Sequence, residues 1–216
     1  EGARFDGESP SESIQDLWNV EQTKKATHEE FAPSRKTKVE LLWKRGNPDS
    51  PYELVETTDF TILGNLGPVR LQEFVKQAED EKNKLVTALK LPTGGPLVKG
   101  KIMLLAFDKK FEYAEFGRVA EGRQLHPSQL AHWQFDFIDC YGAIVAQPTA
   151  EESGPLLSEA IIGAYLDSRG SVAPRWFAVG TARNMAAKIH GKSPLVKAWE
   201  DALAPAMASG LPSDAV

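Results

Sequence analysis

The spacing of hydrophobic residues changes several times along this 216-residue chain, and each change predicts a different secondary structure. Just after the first quarter of the chain, Leu54, Phe60, Ile62 and Leu66 alternate with polar residues. Alternation of this kind predicts a hairpin or two short strands, because successive side chains of a strand point to opposite faces.

Helical spacing follows. Apolar side chains recur every three or four positions in residues 68–91. This spacing predicts a long helix with Pro68 in its first turn. The nearly continuous apolar run at 98–108 is typical of a central strand, and residues 109–118 favour a short helix after it. Alternation followed by a glycine break within 125–149 predicts two paired strands.

The first quarter of the chain differs from the rest in composition. Residues 1–50 are rich in Glu, Ser, Lys and Pro, with a weak amphipathic pattern at 9–31 and one short apolar run at 39–43. These features predict an N-terminal arm or linker-like extension, with the globular domain occupying 51–216. The charged arm and the start at Glu1 favour a part of a larger, exported protein of the periplasm or cell envelope.

Composition excludes several classes of function. The chain is 42% hydrophobic and 25% charged, as is usual for a globular protein, and its formal net charge of -5 argues against a general nucleic-acid binder. No stretch approaches the roughly 20 apolar residues of a membrane-spanning helix. Cys140 is the one cysteine, so the chain has no intrachain disulfide, and its apolar surroundings favour a buried filler over a nucleophile.

Residues 155–183, "PLLSEAIIGAYLDSRGSVAPRWFAVGTAR", predict two helices joined by a short loop. This stretch and the order of elements before it resemble the catalytic domain of gluzincin metallopeptidases, in particular the peptidase-MA-like branch. That family carries H-E-x-x-H on one helix and a pattern like P-x-W-L-x-E-G-x-A-E on the next. The resemblance implies an α+β fold, in which a small mixed sheet packs on helices and two active-site-type helices lie toward the C terminus.

The resemblance also assigns individual positions. Ser158 stands in place of the first histidine ligand, Glu159 in place of the catalytic glutamate and Ile162 in place of the second histidine. Val179 replaces the glutamate that completes the zinc site, and Arg183 replaces a later glutamate. A catalytic zinc needs about three protein ligands, and aliphatic side chains cannot bind it, so we expect no metal and no cofactor. Arg183 is the expected ion-pair partner of Glu159.

These replacements imply a catalytically inactive, peptidase-like domain rather than an enzyme. We expect it to serve protein or peptide binding and assembly, with residues 132–146 as the region where an extended segment adds to the sheet. One alternative is an active hydrolase that uses Glu159 as general base with a non-standard metal site. Another is a purely structural domain, in which Ile162, Val179 and their neighbours fill the former cleft.

The histidines offer no further candidate site. His132, Asp136 and Asp139 suggest a metal cluster, but residues four apart on a strand lie ~13 Å from each other, too far for one ion. His132 is therefore interpreted as a surface residue of a strand. His190 falls in the last turn of a predicted helix, where an imidazole suits the helix dipole and needs no other role.

Overall fold

The computed structural model contains both helices and strands. It describes residues 25–92, 94–136, 139–169 and 175–208. Within these residues the helices are α1 His28–Gly46, α2 Pro68–Leu89, α3 Lys110–Ala120, α4 Ala150–Ser168, α5 Arg175–Ile189 and α6 Pro194–Ala208. The strands are β1 Glu53–Glu56, β2 Phe60–Gly64, β3 Ile102–Phe107, β4 Ala131–Asp136 and β5 Asp139–Val145. No helix among the described residues has the length and apolar content needed to cross a membrane.

The five strands form one mixed sheet in the order β1-β2-β3-β5-β4. The hairpin β1-β2 is antiparallel, β2 and β5 both run parallel to β3, and β4 pairs antiparallel with β5. Helix α2 connects the parallel strands β2 and β3, as such a crossover requires. Strand β4 is consequently an edge of the sheet, whereas β5 lies inside it.

Helices cover both faces of this sheet, so its central strand is buried on both sides. Alternate residues of β3 enter two separate cores: Ile102, Leu104 and Ala106 on one face, and Met103, Leu105 and Phe107 on the other. The first core also contains apolar residues of α2, α4 and α5, and the second contains those of α1 and α3. This double burial explains why the sequence of β3 is continuously apolar.

The structure confirms the α+β class and the small mixed sheet packed on helices. The hairpin, the long helix beginning at Pro68, the central strand, the short helix after it and the two paired strands all lie where the hydrophobic spacing predicts them. Two helices follow toward the C terminus, again as expected. Helix α6 was not predicted.

The prediction of an arm over residues 1–50 is wrong for α1, which is a layer of the domain. Its Trp43 is fully buried and stacks on Phe107, with ring centroids 5.1 Å apart. Arg35, Val39 and Trp43 follow at intervals of four and so share one face of the helix. Because that face includes the buried Arg35, the sequence of α1 lacks the continuous apolar stripe that predicts a buried helix. The predicted helix at 9–31 lies largely outside the described residues.

Replacing Trp43 by alanine tests whether α1 belongs to the domain. We expect Trp43→Ala to lower the free energy of unfolding by about 3–5 kcal/mol, because it leaves a large cavity between α1 and the sheet. Leu41 lies on the same helix but is 59% exposed. Leu41→Ala should change the free energy by less than about 0.5 kcal/mol. Urea unfolding followed by circular dichroism measures both, and equal small effects would contradict this packing.

Candidate functional site

Helix α4 carries three of the positions that the sequence singled out, and its middle is buried along its whole circumference from residue 153 to residue 164. Ile162 is fully buried in the core that α2, α4 and α5 form on one face of the sheet. Val179, on α5, is partly buried and packs against the same core. Two of the three positions that the gluzincin-like motif aligns with zinc ligands are thus occupied by apolar residues of the core.

Glu159 and Arg183 form the ion pair expected from the sequence. The guanidinium donates from Nη2 and Nε to Oε1 of the carboxylate, at 2.9 and 3.1 Å. The Glu159 side chain is 7% exposed and that of Arg183 is 48% exposed. The guanidinium carbon of Arg183 also lies 5.1 Å from the ring centroid of Trp199 on α6. The pair therefore connects α4 with α5 and α6.

The pKa of Glu159 is raised above its usual value. Burial is the main cause, and the charge and hydrogen bonds of Arg183 oppose it only in part. The carboxylate is therefore costly to keep ionised in this position, and the cation beside it offsets some of that cost.

Ser158 belongs to a different cluster, because adjacent residues of a helix point about 100° apart. Its hydroxyl donates to Oε2 of Glu81 on α2 at 2.7 Å and lies 3.1 Å from Nε2 of His190. His190 Nε2 is also 2.8 Å from the same Glu81 oxygen. Lys84 donates to the other oxygen, Oε1, at 2.7 Å. These contacts join α2, α4 and the end of α5.

The geometry of this cluster does not provide a serine nucleophile. In a catalytic triad the serine and the acid contact opposite nitrogens of the imidazole, whereas Ser158 and Glu81 both contact Nε2 of His190. The hydroxyl of Ser158 is itself a donor to Glu81, and the residue is 1% exposed. Open depressions of about 460 and 450 Å³ flank His190, and Glu151 also lines both.

Sequence reasoning missed the role of Glu81 and gave His190 a solitary place at a helix end. A signal for Glu81 was present, because it continues the stripe of Phe74, Ala78 and Leu85 on the core face of α2. Burial of Glu81 would raise the pKa of its carboxyl, but the hydrogen bonds from His190, Lys84 and Ser158 outweigh it and lower that pKa.

His132 is a buried residue, and its interpretation as a surface residue of a strand is wrong. It is 4% exposed, on the face of β4 that turns toward α3. Tyr113 donates its hydroxyl proton to Nδ1 at 2.7 Å, and Nε2 lies 2.7 Å from Oε1 of Glu121. Burial lowers the pKa of His132 despite the carboxylate of Glu121, so the neutral ring donates from Nε2.

Glu121 collects the polar groups on this face of the sheet. Its Oε1 also accepts from the Tyr141 hydroxyl at 2.7 Å, and its Oε2 accepts from Nε of Arg123 at 2.7 Å. Burial would raise the pKa of Glu121, but the interaction with His132 and the hydrogen bonds from Tyr141 and Arg123 lower it to about 2. The carboxylate is ionised over the whole physiological range.

A third set of contacts lies at the edge strand β4. Trp133 donates from Nε1 to Oδ2 of Asp167 at 2.7 Å, and Nη1 of Arg175 donates to the same oxygen at 3.1 Å. Nη2 of Arg175 donates to the backbone oxygen of Trp133 at 2.7 Å, and the guanidinium carbon lies 4.4 Å from the centroid of the indole. Arg175 thereby connects the first turn of α5 to β4 at the edge of the sheet.

The residues that follow Arg175 are exposed aromatics. Trp176 and Phe177 are 57% and 51% exposed, and their rings meet edge to face with centroids 5.9 Å apart. Both occupy the first turn of α5, directly beside the contact of Arg175 with β4. In the sequence both residues are part of the gluzincin-like motif, which does not indicate a binding role for them.

Metal ligands are not gathered at any of these places. Among the described residues, no three His, Cys, Asp or Glu side chains lie close enough to share a metal ion. Cys140 is fully buried, as the sequence predicts, and its thiol donates to the backbone oxygen of Ala164 at 3.6 Å.

Comparisons with models of protein families, with curated proteins and with solved structures find no match for this chain. The likeness to gluzincins therefore depends on the motifs within residues 155–183 and on the order of elements before them.

The ion pair of Glu159 and Arg183 predicts an asymmetric response to mutation. Arg183→Ala should lower the free energy of unfolding by about 2–3 kcal/mol, because it leaves a buried carboxylate unpaired. Glu159→Gln should cost less than about 1 kcal/mol, because the half-exposed Arg183 stays partly hydrated. The double variant should be more stable than Arg183→Ala alone.

The measurement is urea unfolding of the four proteins at about pH 7.5 and about pH 5. The cost of Arg183→Ala should shrink at the lower pH, because a group whose folded pKa is raised takes up its proton first in the folded state. Equal costs for the two single variants at both pH values would contradict the pairing.

The second buried face predicts a loss of stability in acid. The pKa of Glu121 is about 2 in the folded state and about 4.5 in the unfolded state. Its contribution, on the order of 3 kcal/mol, is present above about pH 4.5 and is lost as the pH falls toward 2. His132 acts in the same direction below about pH 6.5, because its folded pKa is lowered.

Glu121→Gln should therefore flatten the dependence of the unfolding free energy on pH below about pH 4.5. Glu73→Gln, at an exposed position of α2, is the matched control and should leave that dependence unchanged. Unfolding in urea at a series of pH values provides the comparison. Parallel curves for wild type and Glu121→Gln would show that this carboxylate is not held as described.

Proposed function

We propose that this domain is a catalytically inactive, peptidase-like scaffold of the gluzincin type that binds a protein or peptide. The first support is the chemistry at the three former ligand positions, which hold a hydroxyl and two aliphatic side chains at Ser158, Ile162 and Val179. Their environment agrees, since Ser158 is 1% exposed and Ile162 is fully buried. A catalytic zinc site requires several donors and an open position.

The observation that carries this proposal is the ion pair of Glu159 with Arg183. In a zinc peptidase the corresponding glutamate activates a metal-bound water, and a neighbouring cationic side chain opposes the binding of a metal cation. Here both hydrogen bonds from the guanidinium go to Oε1 of Glu159. The carboxylate has a structural partner in place of a reacting water.

Binding is supported by the surface beside this position. Trp176 and Phe177 are exposed and adjacent, and exposed aromatic side chains are typical of interaction sites. Their neighbour Arg175 contacts β4, an edge strand to which an extended segment can add. Of the predicted binding region 132–146, only the β4 part lies at an edge, because β5 is enclosed between β3 and β4.

One observation favours the alternative of an active hydrolase. Burial raises the pKa of Glu159 above its usual value, and a raised pKa is a common property of carboxyl groups that act as general bases. A hydrolase of this kind would require a metal or a nucleophile close to Glu159. The proposed binding function needs neither, and the filled surroundings of Ile162 favour it.

The test combines a binding selection with an assay for metal and hydrolysis. Peptides selected on the domain from a random display library should bind it, and Trp176→Ala with Phe177→Ala should weaken that binding at least about tenfold. Phe111→Ala, which truncates another exposed aromatic on α3, is the matched control and should have no effect. Added zinc should give no saturable binding in calorimetry.

A hydrolase would behave differently in the same preparations. Stoichiometric zinc, together with cleavage of a quenched fluorescent peptide that Glu159→Gln abolishes, would overturn the assignment as inactive. Failure to select any peptide, or selection of peptides that ignore Trp176 and Phe177, would overturn the binding role.

A further inference from the structure

The backbone N–H and C=O groups of successive residues in β4 point alternately toward β5 and away from the sheet. Its register pairs His132 with Ala143, and the hydrogen bond from Val145 N to Leu130 O, at 2.8 Å, shows that the even-numbered residues face β5. The backbone groups of Ala131, Trp133 and Phe135 therefore point away from the sheet, where an added strand would pair.

The chain covers these outward groups with its own side chains. The oxygen of Ala131 accepts from Nε2 of Gln129 at 3.2 Å, and that of Trp133 accepts from Nη2 of Arg175 at 2.7 Å. Trp133 is 2% exposed, so the edge is closed at this residue while Arg175 lies on it. A segment that adds to β4 must first take Arg175 away from the Trp133 oxygen.

The chemistry of Arg175 indicates what can do so. Its side chain is 49% exposed and thus accessible from solvent. It already donates to one carboxylate, that of Asp167, and to one neutral oxygen, that of Trp133. A carboxylate can accept two parallel hydrogen bonds from a guanidinium and adds the attraction of its negative charge, and a backbone oxygen offers neither, so a second carboxylate can replace the backbone oxygen. A neutral segment offers no such exchange.

A second guanidinium lies near the opposite face of β4. Arg123 donates from Nε to Glu121, which contacts His132, the neighbour of Trp133 on the strand. Nη2 of Arg123 has no acceptor among the described residues, although the Arg123 side chain as a whole is 39% exposed. Arg123 and Arg175 are thus connected to neighbouring residues of β4, Arg123 to His132 through Glu121 and Arg175 directly to Trp133.

We propose that β4 binds an extended segment with two adjacent acidic residues. Neighbouring side chains of a strand point to opposite faces, so one carboxylate would meet Arg175 and the next would meet Arg123. The first carboxylate takes over the bond that Arg175 makes to the Trp133 oxygen, and this oxygen then accepts from the added strand. This inference rests on the proposed peptide-binding function and specifies its ligand.

The experiment analyses the peptides selected on the wild-type domain and measures their affinity by fluorescence anisotropy. The peptides should carry an adjacent pair of Asp or Glu, and replacing the pair by Asn or Gln should weaken binding at least about tenfold. Arg175→Gln and Arg123→Gln should each reduce this preference, and Arg118→Gln, an exposed arginine of α3, should preserve it. High salt should also reduce it.

Each outcome decides one of the two proposals. If no peptide is selected, the binding function fails. If peptides bind without acidic residues, or if the preference survives both Arg175→Gln and Arg123→Gln, the acidic ligand is wrong while the binding function stands. Arg175→Lys keeps a cation without the paired donors, so a folded Arg175→Lys domain with a weakened preference supports the proposal even where Arg175→Gln does not fold. An undiminished preference in Arg175→Lys would contradict the bidentate contact.

Discussion

Burial of the middle of α4 is the constraint on which the rest of this domain depends. From residue 153 to residue 164 the helix has no exposed side, so each polar side chain in that span must find a partner within the protein. Ser158 meets Glu81 and His190, and Glu159 meets Arg183. These bonds fix α2 and α5 relative to α4 at points where apolar packing alone would allow sliding.

Three of the buried carboxylates, those of Glu81, Glu121 and Glu159, differ in how many hydrogen bonds they accept. Glu81 and Glu121 each accept from three partners and use both oxygens, and both have a lowered pKa. Glu159 accepts its two bonds on one oxygen from one guanidinium, and its pKa is raised. In Glu81 and Glu121 the hydrogen-bond donors lower the pKa by more than burial raises it. In Glu159 burial raises the pKa by more than the single guanidinium lowers it. Glu159 is the least stabilised of the buried acids, at the position where the gluzincin-like motif has its catalytic glutamate.

The predictable part of the structure is the part that short-range spacing determines. The alternation at 52–66 and the apolar run at 98–108 both predict strands correctly, and the second pattern is continuously apolar because both faces of β3 are buried. Helix α1 escaped prediction because Arg35 shares its buried face. The partners of Ser158 escaped because they lie 77 and 32 residues away, and only the folded chain brings them together. The ion pair of Glu159 and Arg183 could be predicted from the sequence because both residues occupy assigned positions of the gluzincin-like motif.

Helix α5 links Glu159 to the edge of the sheet. Arg175, Val179 and Arg183 recur at intervals of four, so they lie on one face of that helix. This face provides the contact with the edge of β4, an apolar side chain for the core and the counter-ion of Glu159. One face of α5 thus attaches the helix both to the edge strand and to α4. A ligand that draws Arg175 from Trp133 acts on the same rigid element that carries Arg183, so occupancy of the edge and the environment of Glu159 are physically connected.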